Sequence, residues 1–292
     1  MTQPVQRSPQ ERSPLYFALR RFGDNKGAVV CGMILAVVIA MALCAPLITP
    51  TGYADQDYLT EALAFPSGRH WMGIDDLGRD FYTRIVFGAR VSLSIGLSAA
   101  LFSVLIGIPL GAVAGYYGGW ADWVVMRLIE LFSVVPPLLA AMLLGALTNG
   151  GFVTIVLIAA LFGWVQVCLL VRAQVKSFRE KEFVRAAQAL GASPGYIIRR
   201  HLIPNSVSPI IVGFVLAIPL AMMLEASLSF LGIGVPPPVP SWGQMINVGM
   251  NFMYFYWHLA VFPTAALALT VLATTLFGDG LRDALDPTLK GR

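Results

Sequence analysis

The stretch SFREKEFVRAAQALGASPGYIIRRHLIPNSVSPII, residues 177–211, is charged and helix-prone, yet it lies between two long apolar runs. Its first half, within 176–191, is rich in helix formers and ends at Gly191, a natural helix stop. Phe183, Ala186, Ala187 and Leu190 recur at helical spacing and form one apolar stripe. A second short helix is expected at Ser193, a capping residue, with Pro194 at the first helical position. It would run through Ile197, Ile198 and Leu202 to Pro204. Two short amphipathic helices joined at a glycine bend are thus held between two apolar segments. Such a hairpin suits either attachment to an anionic lipid surface or docking on a protein partner, and the residues alone leave both open.

The rest of the chain explains why these charges are conspicuous. Of 292 residues, 57% are hydrophobic and 12% charged, against about 25% charged in a soluble domain. Six apolar runs, near 27–48, 91–115, 124–147, 151–172, 209–231 and 256–278, are long enough to cross a hydrocarbon core of roughly 30 Å at about 1.5 Å per residue. They lack the alternation of a barrel strand, so the fold class is all-α, a polytopic membrane protein. The first run follows a segment with no small-x-small cleavage pattern and reads as a span, not a cleaved signal.

The 20 basic residues orient the spans. All but Arg69, Arg79, Arg84 and Arg90 fall before the first span, between spans four and five, at Arg127, or in the tail. By the positive-inside rule, both termini and the 173–208 segment are cytoplasmic. The expected organisation is a cytoplasmic segment 1–26, a first transmembrane helix 27–48, an external loop 49–90, a core 91–278 and a cytoplasmic tail 279–292. The net charge of +4 is then accounted for without nucleic acid.

Gly107, Gly111 and Gly115, four residues apart, form a face on which a second helix can pack closely. Pro136 and Pro137 should bend the third span, with Pro109 and Pro219 acting likewise. Glu225, in LAMMLEASLSFLG, is the acid deep in the fifth span. It reads either as a structural carboxylate satisfied by Ser227, Ser229 or a partner, or as a pathway or gate group touching solute. Asp75, Asp76, Arg79 and Asp80 read as local caps and ion pairs that orient the loop, or as groups that receive an external partner. The uncharged stretch 232–255, stiffened by three consecutive prolines, reads as an interfacial loop, an outer gate or a re-entrant segment too short for a full crossing. Cys31, Cys44 and Cys168 lack metal-ligand spacing and form no disulfide framework. His70, His201 and His258 are widely separated, and no metal site is expected. No phosphate-cradling G-x-x-x-x-G-K-[ST] loop is present, so no ATP site is expected in this chain.

RAAQALGASPGYIIRRHLIPN (185–205) resembles the cytoplasmic signature loop of ABC importer permeases, with Ala186, Ala187, Gly191 and Pro204 at the matching places. Arg185 stands where that motif has Glu, and His201 and Ile203 replace its Ile and Leu. The stretch 70–96 resembles the family's entry to its second core span, with Ile74 in place of Thr, and 114–139 its region around span three; 225–245 and 277–290 resemble the second-subunit type of the dipeptide, oligopeptide and nickel branch. The resemblance implies a non-catalytic permease in a bacterial inner membrane, paired with a homologous second permease. Two ATPase subunits would bind ATP and Mg on the cytoplasmic side, and an external binding protein would deliver a peptide. Nickel, glutathione or another small solute is the alternative cargo. Residues 183–191 would contact the ATPase, with Glu182 and Arg185 on the rim. An ion-coupled secondary transporter is the alternative of another class, though a single intramembrane carboxylate without paired broken repeats gives it little support.

Overall fold

The computed structural model describes residues 14–57, 61–148 and 150–285. In chain order the helices are α1 (Pro14–Asp24), α2 (Lys26–Leu43), α3 (Ala45–Ile48), α4 (Phe81–Tyr117), α5 (Gly119–Val134), α6 (Pro137–Thr148), α7 (Phe152–Arg179), α8 (Glu182–Ala189) and α9 (Pro194–Ile197). A π-helical turn (Ile198–Leu202) follows, then α10 (Ile203–Asn205), α11 (Val207–Phe230), α12 (Trp242–Phe252) and α13 (His258–Leu285). Among the described residues there is no strand beyond the isolated bridges Gln56–Arg79 and Ile74–Asp80. The basic residues Arg7, Arg12, Lys290 and Arg292 lie outside the described residues.

Five helices, α2, α4, α7, α11 and α13, are long and apolar enough to cross a membrane. The third expected span is broken into α5 and α6, which meet at a bend of 79°. Val135 at the break is extended (φ −81°, ψ 120°), the backbone a following proline favours. Pro137 then opens α6, where its missing N–H leaves no helical partner unsatisfied. Pro109 and Pro219, by contrast, lie inside helices that continue through them.

The second span begins earlier than its hydropathy suggests. α4 starts at Phe81, not near 91, and its 37 residues extend about 55 Å, well beyond a hydrocarbon core. Asp80 caps it by accepting from the Thr83 amide at 2.8 Å. The external connection therefore ends at Asp80, and Arg84 and Arg90 are helical.

The centre of the fold is the seam between α4 and α7, formed by Gly107, Gly111 and Gly115. A Cβ on Gly107 would lie 2.8 Å from the Val167 Cβ; one on Gly111, 2.5 Å from the Cys168 carbonyl oxygen; one on Gly115, 2.7 Å from the Arg172 carbonyl oxygen. The helix backbones are too close for any side chain there. At the cytoplasmic end of the seam, Arg172 Nη2 donates to Asp122 Oδ2 at 2.6 Å, tying α7 to α5.

Candidate functional site

The hairpin between α7 and α11 is a folded projection at one end of that seam. α8 ends in a complete glycine cap: Gly191 N–H donates to the Gln188 carbonyl and Ala192 N–H to the Ala187 carbonyl, both at 3.0 Å. Gly191 has φ +79°, the left-handed conformation this cap requires. Ser193 then accepts from the Tyr196 amide at 3.4 Å and Pro194 opens α9. Val184, Ile197 and Leu202 have no exposed surface and join Ala112, Tyr116, Val171 and Val175 in one cluster. The hairpin is thereby packed onto the ends of α4 and α7.

The opposite side of α8 is open. Phe183 is 40% exposed and Leu190 88% exposed, and Ala186 is exposed between them. Ala187, expected on the same stripe, is half-buried and packs inward. Val184, which lies off the stripe, makes the inward contact. Glu182 sits in the first turn, favourably placed for the helix dipole. Arg185 Nη2 pairs with Glu180 Oε2 at 3.2 Å on the rim, an exposed pair that adds little stability. α8 is therefore two-faced, anchored through Val184 and exposed along Phe183, Ala186 and Leu190.

Glu225 occupies the outer half of the molecule and has no exposed surface. Its Oε1 accepts from Ser229 Oγ at 2.7 Å and its Oε2 from Ser92 Oγ at 3.2 Å. Ser92 Oγ in turn accepts from the Trp242 amide at 3.3 Å, and Ser241 Oγ donates to Ser229 Oγ at 3.4 Å. Ser241 caps α12, so the carboxylate lies beneath the N-terminus of a helix, a favourable place for negative charge. Trp242 is buried across Gly88 and donates from Nε1 to the Ile85 carbonyl at 3.0 Å. Ser227, named with Ser229 in the sequence, turns away and bonds the Met223 carbonyl. Ser92 is the partner that no local spacing points to.

The connection between α3 and α4 closes over this region through buried ion pairs. Asp75 Oδ2 lies 2.6 Å from Arg79 Nε and 3.3 Å from Arg84 Nε. Arg84 Nη1 also donates to the carbonyls of Tyr53 and Pro238, at 3.0 and 3.2 Å. His70 Nδ1 lies 2.8 Å from Asp80 Oδ2. Burial, followed by repulsion from Asp75, raises the Asp76 carboxyl above the usual carboxylate range. The acids and arginines here are caps and cross-ties.

Residues 107–291 match the family model for the binding-protein-dependent transport system inner membrane component. The chain belongs to this family. Residues 13–66 also match the N-terminal transmembrane domain of oligopeptide transport permease C. The glutathione transport permease GsiD of Pectobacterium atrosepticum is 40% identical over 292 residues, covering 99% of this chain and 96% of that protein. The dipeptide transport permease DppC of Bacillus subtilis is 42% identical over 274 residues (94% and 85%), and the oligopeptide permease OppC of the same organism is 39% identical (94% and 89%). A methionine ABC transporter, MetNI, solved in inward-facing conformations, shares the fold: TM-score 0.55 at 16% identity, covering 69% of this chain and 96% of that one. This permease is thus a C-type subunit of an ABC importer, multi-pass in the bacterial inner membrane and non-catalytic. An importer of this architecture comprises a paired permease, ATPase subunits and a solute-binding protein. The family assignment leaves no place for an ion-coupled secondary transporter.

Proposed function

We propose that the chain forms half of the solute path of an ATP-driven peptide importer, and that α8 is the element through which partner ATPases move it. The observation that carries this reading is the two-faced α8: Val184 locks it to the α4–α7 seam while Phe183, Ala186 and Leu190 remain open at the cytoplasmic surface. A stiff helix packed onto two long membrane helices transmits displacement as a unit, whereas a loop would absorb it. Glu182 and Arg185 lie at the rim of the contact, and ATP and Mg belong to the two ATPase subunits.

Support for a peptide cargo comes from relatives named for glutathione, dipeptide and oligopeptide transport, all peptides. A homologous second permease completes the path and an external binding protein selects the solute. The test is to purify the cognate binding protein and identify its retained ligand by mass spectrometry. A peptide is expected; a nickel chelate or a non-peptide solute would overturn the assignment of cargo. Co-purification of the ATPases with Leu190→Asp tests the coupling contact separately.

A further inference from the structure

At the end of α4 opposite the hairpin, a cavity of about 20 Å³ lies between the α3–α4 connection, α4, α12 and α13, with Asp75, Asp76, Arg79, Arg84, Gln244 and Leu259 on its wall. Two oxygens among these residues are buried and accept no hydrogen bond from any described residue: Asp76 Oδ1 and Gln244 Oε1. Both are acceptors, so neither can satisfy the other while Asp76 is ionised. Turning the Gln244 amide over would sacrifice another bond, because its Nε2 donates to the Val235 carbonyl at 3.3 Å.

The neighbouring cations leave these oxygens unmet. Arg79 Nη2 is 3.9 Å from Asp76 Oδ1, beyond hydrogen-bond reach, and its Nε is held by Asp75 Oδ2 at 2.6 Å. Arg84 is engaged by Asp75 through Nε and by the Tyr53 and Pro238 carbonyls through Nη1. α12 brings no titratable group to the cavity and α13 brings Leu259. His258, beside Leu259, is turned toward Gly73, where an added Cβ would lie 2.8 Å from its Nε2. The charged groups facing Asp76 are therefore Asp75, Arg79 and Arg84. Burial, followed by repulsion from Asp75, raises the Asp76 carboxyl above the usual carboxylate range, against the pull of Arg79 and Arg84. A proton on Asp76 supplies the missing donor, which reaches Gln244 directly or across the single water that a space of this size can hold.

We infer that Asp76 and Gln244 form a proton-operated latch between the α3–α4 connection and α12. The neutral carboxyl donates to Gln244 Oε1 and holds α12 to the connection; the ionised carboxylate gives up that bond and turns to Arg79. Because the latched arrangement favours the neutral acid, the latch is complete below the ordinary carboxylate range and is lost as pH rises through the raised value. Its effect reaches further than one bond, since α12 carries Ser241, whose hydroxyl joins the Glu225 network through Ser229. The latch is independent of the coupling and cargo readings above.

Hydrogen exchange of the α12 amides tests this in the full transporter held in lipid nanodiscs, expressed as protection factors so that the intrinsic pH dependence of exchange cancels. Protection is expected to be about tenfold higher at about pH 4.5 than at about pH 7.5, the scale of one hydrogen bond. Asp76→Asn, whose amide donates at every pH, should keep the high protection throughout. Gln244→Met, which fills similar space without the amide oxygen, should show the low protection throughout. Equal protection of the unaltered protein at the two pH values would overturn the latch, because an ionised Asp76 bridged to Gln244 by water behaves in that way. A pH response that survives either substitution would overturn it as well, since another group would then be titrating.

Discussion

Val184 has no exposed surface, whereas Leu190, at the end of the same helix, is 88% exposed. One side of α8 is part of the permease core and the other is exposed, as the proposed coupling contact requires. Substitutions on the two sides should therefore fail differently. Leu190→Asp should leave the permease inserted and paired, but lower ATPase co-purification about tenfold or more, as expected for losing one buried leucine. Val184→Asp should instead lower the yield of folded permease, since it places an unpaired charge in the core. Quantitative pull-down alongside membrane-inserted yield separates the two; identical behaviour would contradict the two-faced helix.

Gly191→Ala meets open space, since nothing lies within 4 Å of its new Cβ. The conformation is the obstacle: φ is +79°, which costs a side chain about 1–2 kcal/mol. ATP-dependent uptake should fall partially without loss of expression, and Gly191→Asn should recover part of it, because asparagine tolerates this region better. Equal uptake by the Ala and Asn variants would show that the cap is unimportant.

Gly111→Val tests the seam. Its Cβ would arrive 2.5 Å from the Cys168 carbonyl oxygen, and backbone has nowhere to go without parting α4 from α7. Overpacking of this kind costs about 1–3 kcal/mol. The apparent melting temperature of the purified assembly should drop clearly more than for Leu105→Val, which lies on an exposed face. Similar melting for both would contradict the close approach.

Glu225→Leu should be more harmful than Glu225→Gln. Leucine strands the hydroxyls of Ser92 and Ser229 in a buried site, each unpaired group costing about 1–3 kcal/mol, while glutamine keeps an acceptor. Limited proteolysis at 232–255 reports on α12, whose N-terminus the network holds. Accelerated cleavage is expected for Leu and little change for Gln. If Leu leaves cleavage unchanged, Glu225 does not hold α12.

Composition was enough to read the apolar spans and the hairpin between the fourth and fifth, because lipid imposes its constraint residue by residue along the chain. The glycine repeat on α4 was legible for the same reason: close approach requires small side chains at helical spacing. Local chemistry also marked Gly191, Ser193 and Asp80, whose caps use neighbours within a few residues.

Other features depended on residues far apart in sequence. Ser92 reaches Glu225 across the fold, Arg84 reaches the Pro238 carbonyl, and Val184 finds its cluster only once α8 lies against α4 and α7. The stripe of Phe183, Ala186, Ala187 and Leu190 could not say which side faces home, because α8 is apolar on both. Prolines in the third span foretold a bend; its size, a break of 79° followed by a separate helix, is seen only in the structure. Hydropathy and capping are properties of short segments, and the sequence by itself determined what they govern. Mutual burial and long-range hydrogen bonds exist only after helices meet, and the tertiary structure alone decided those.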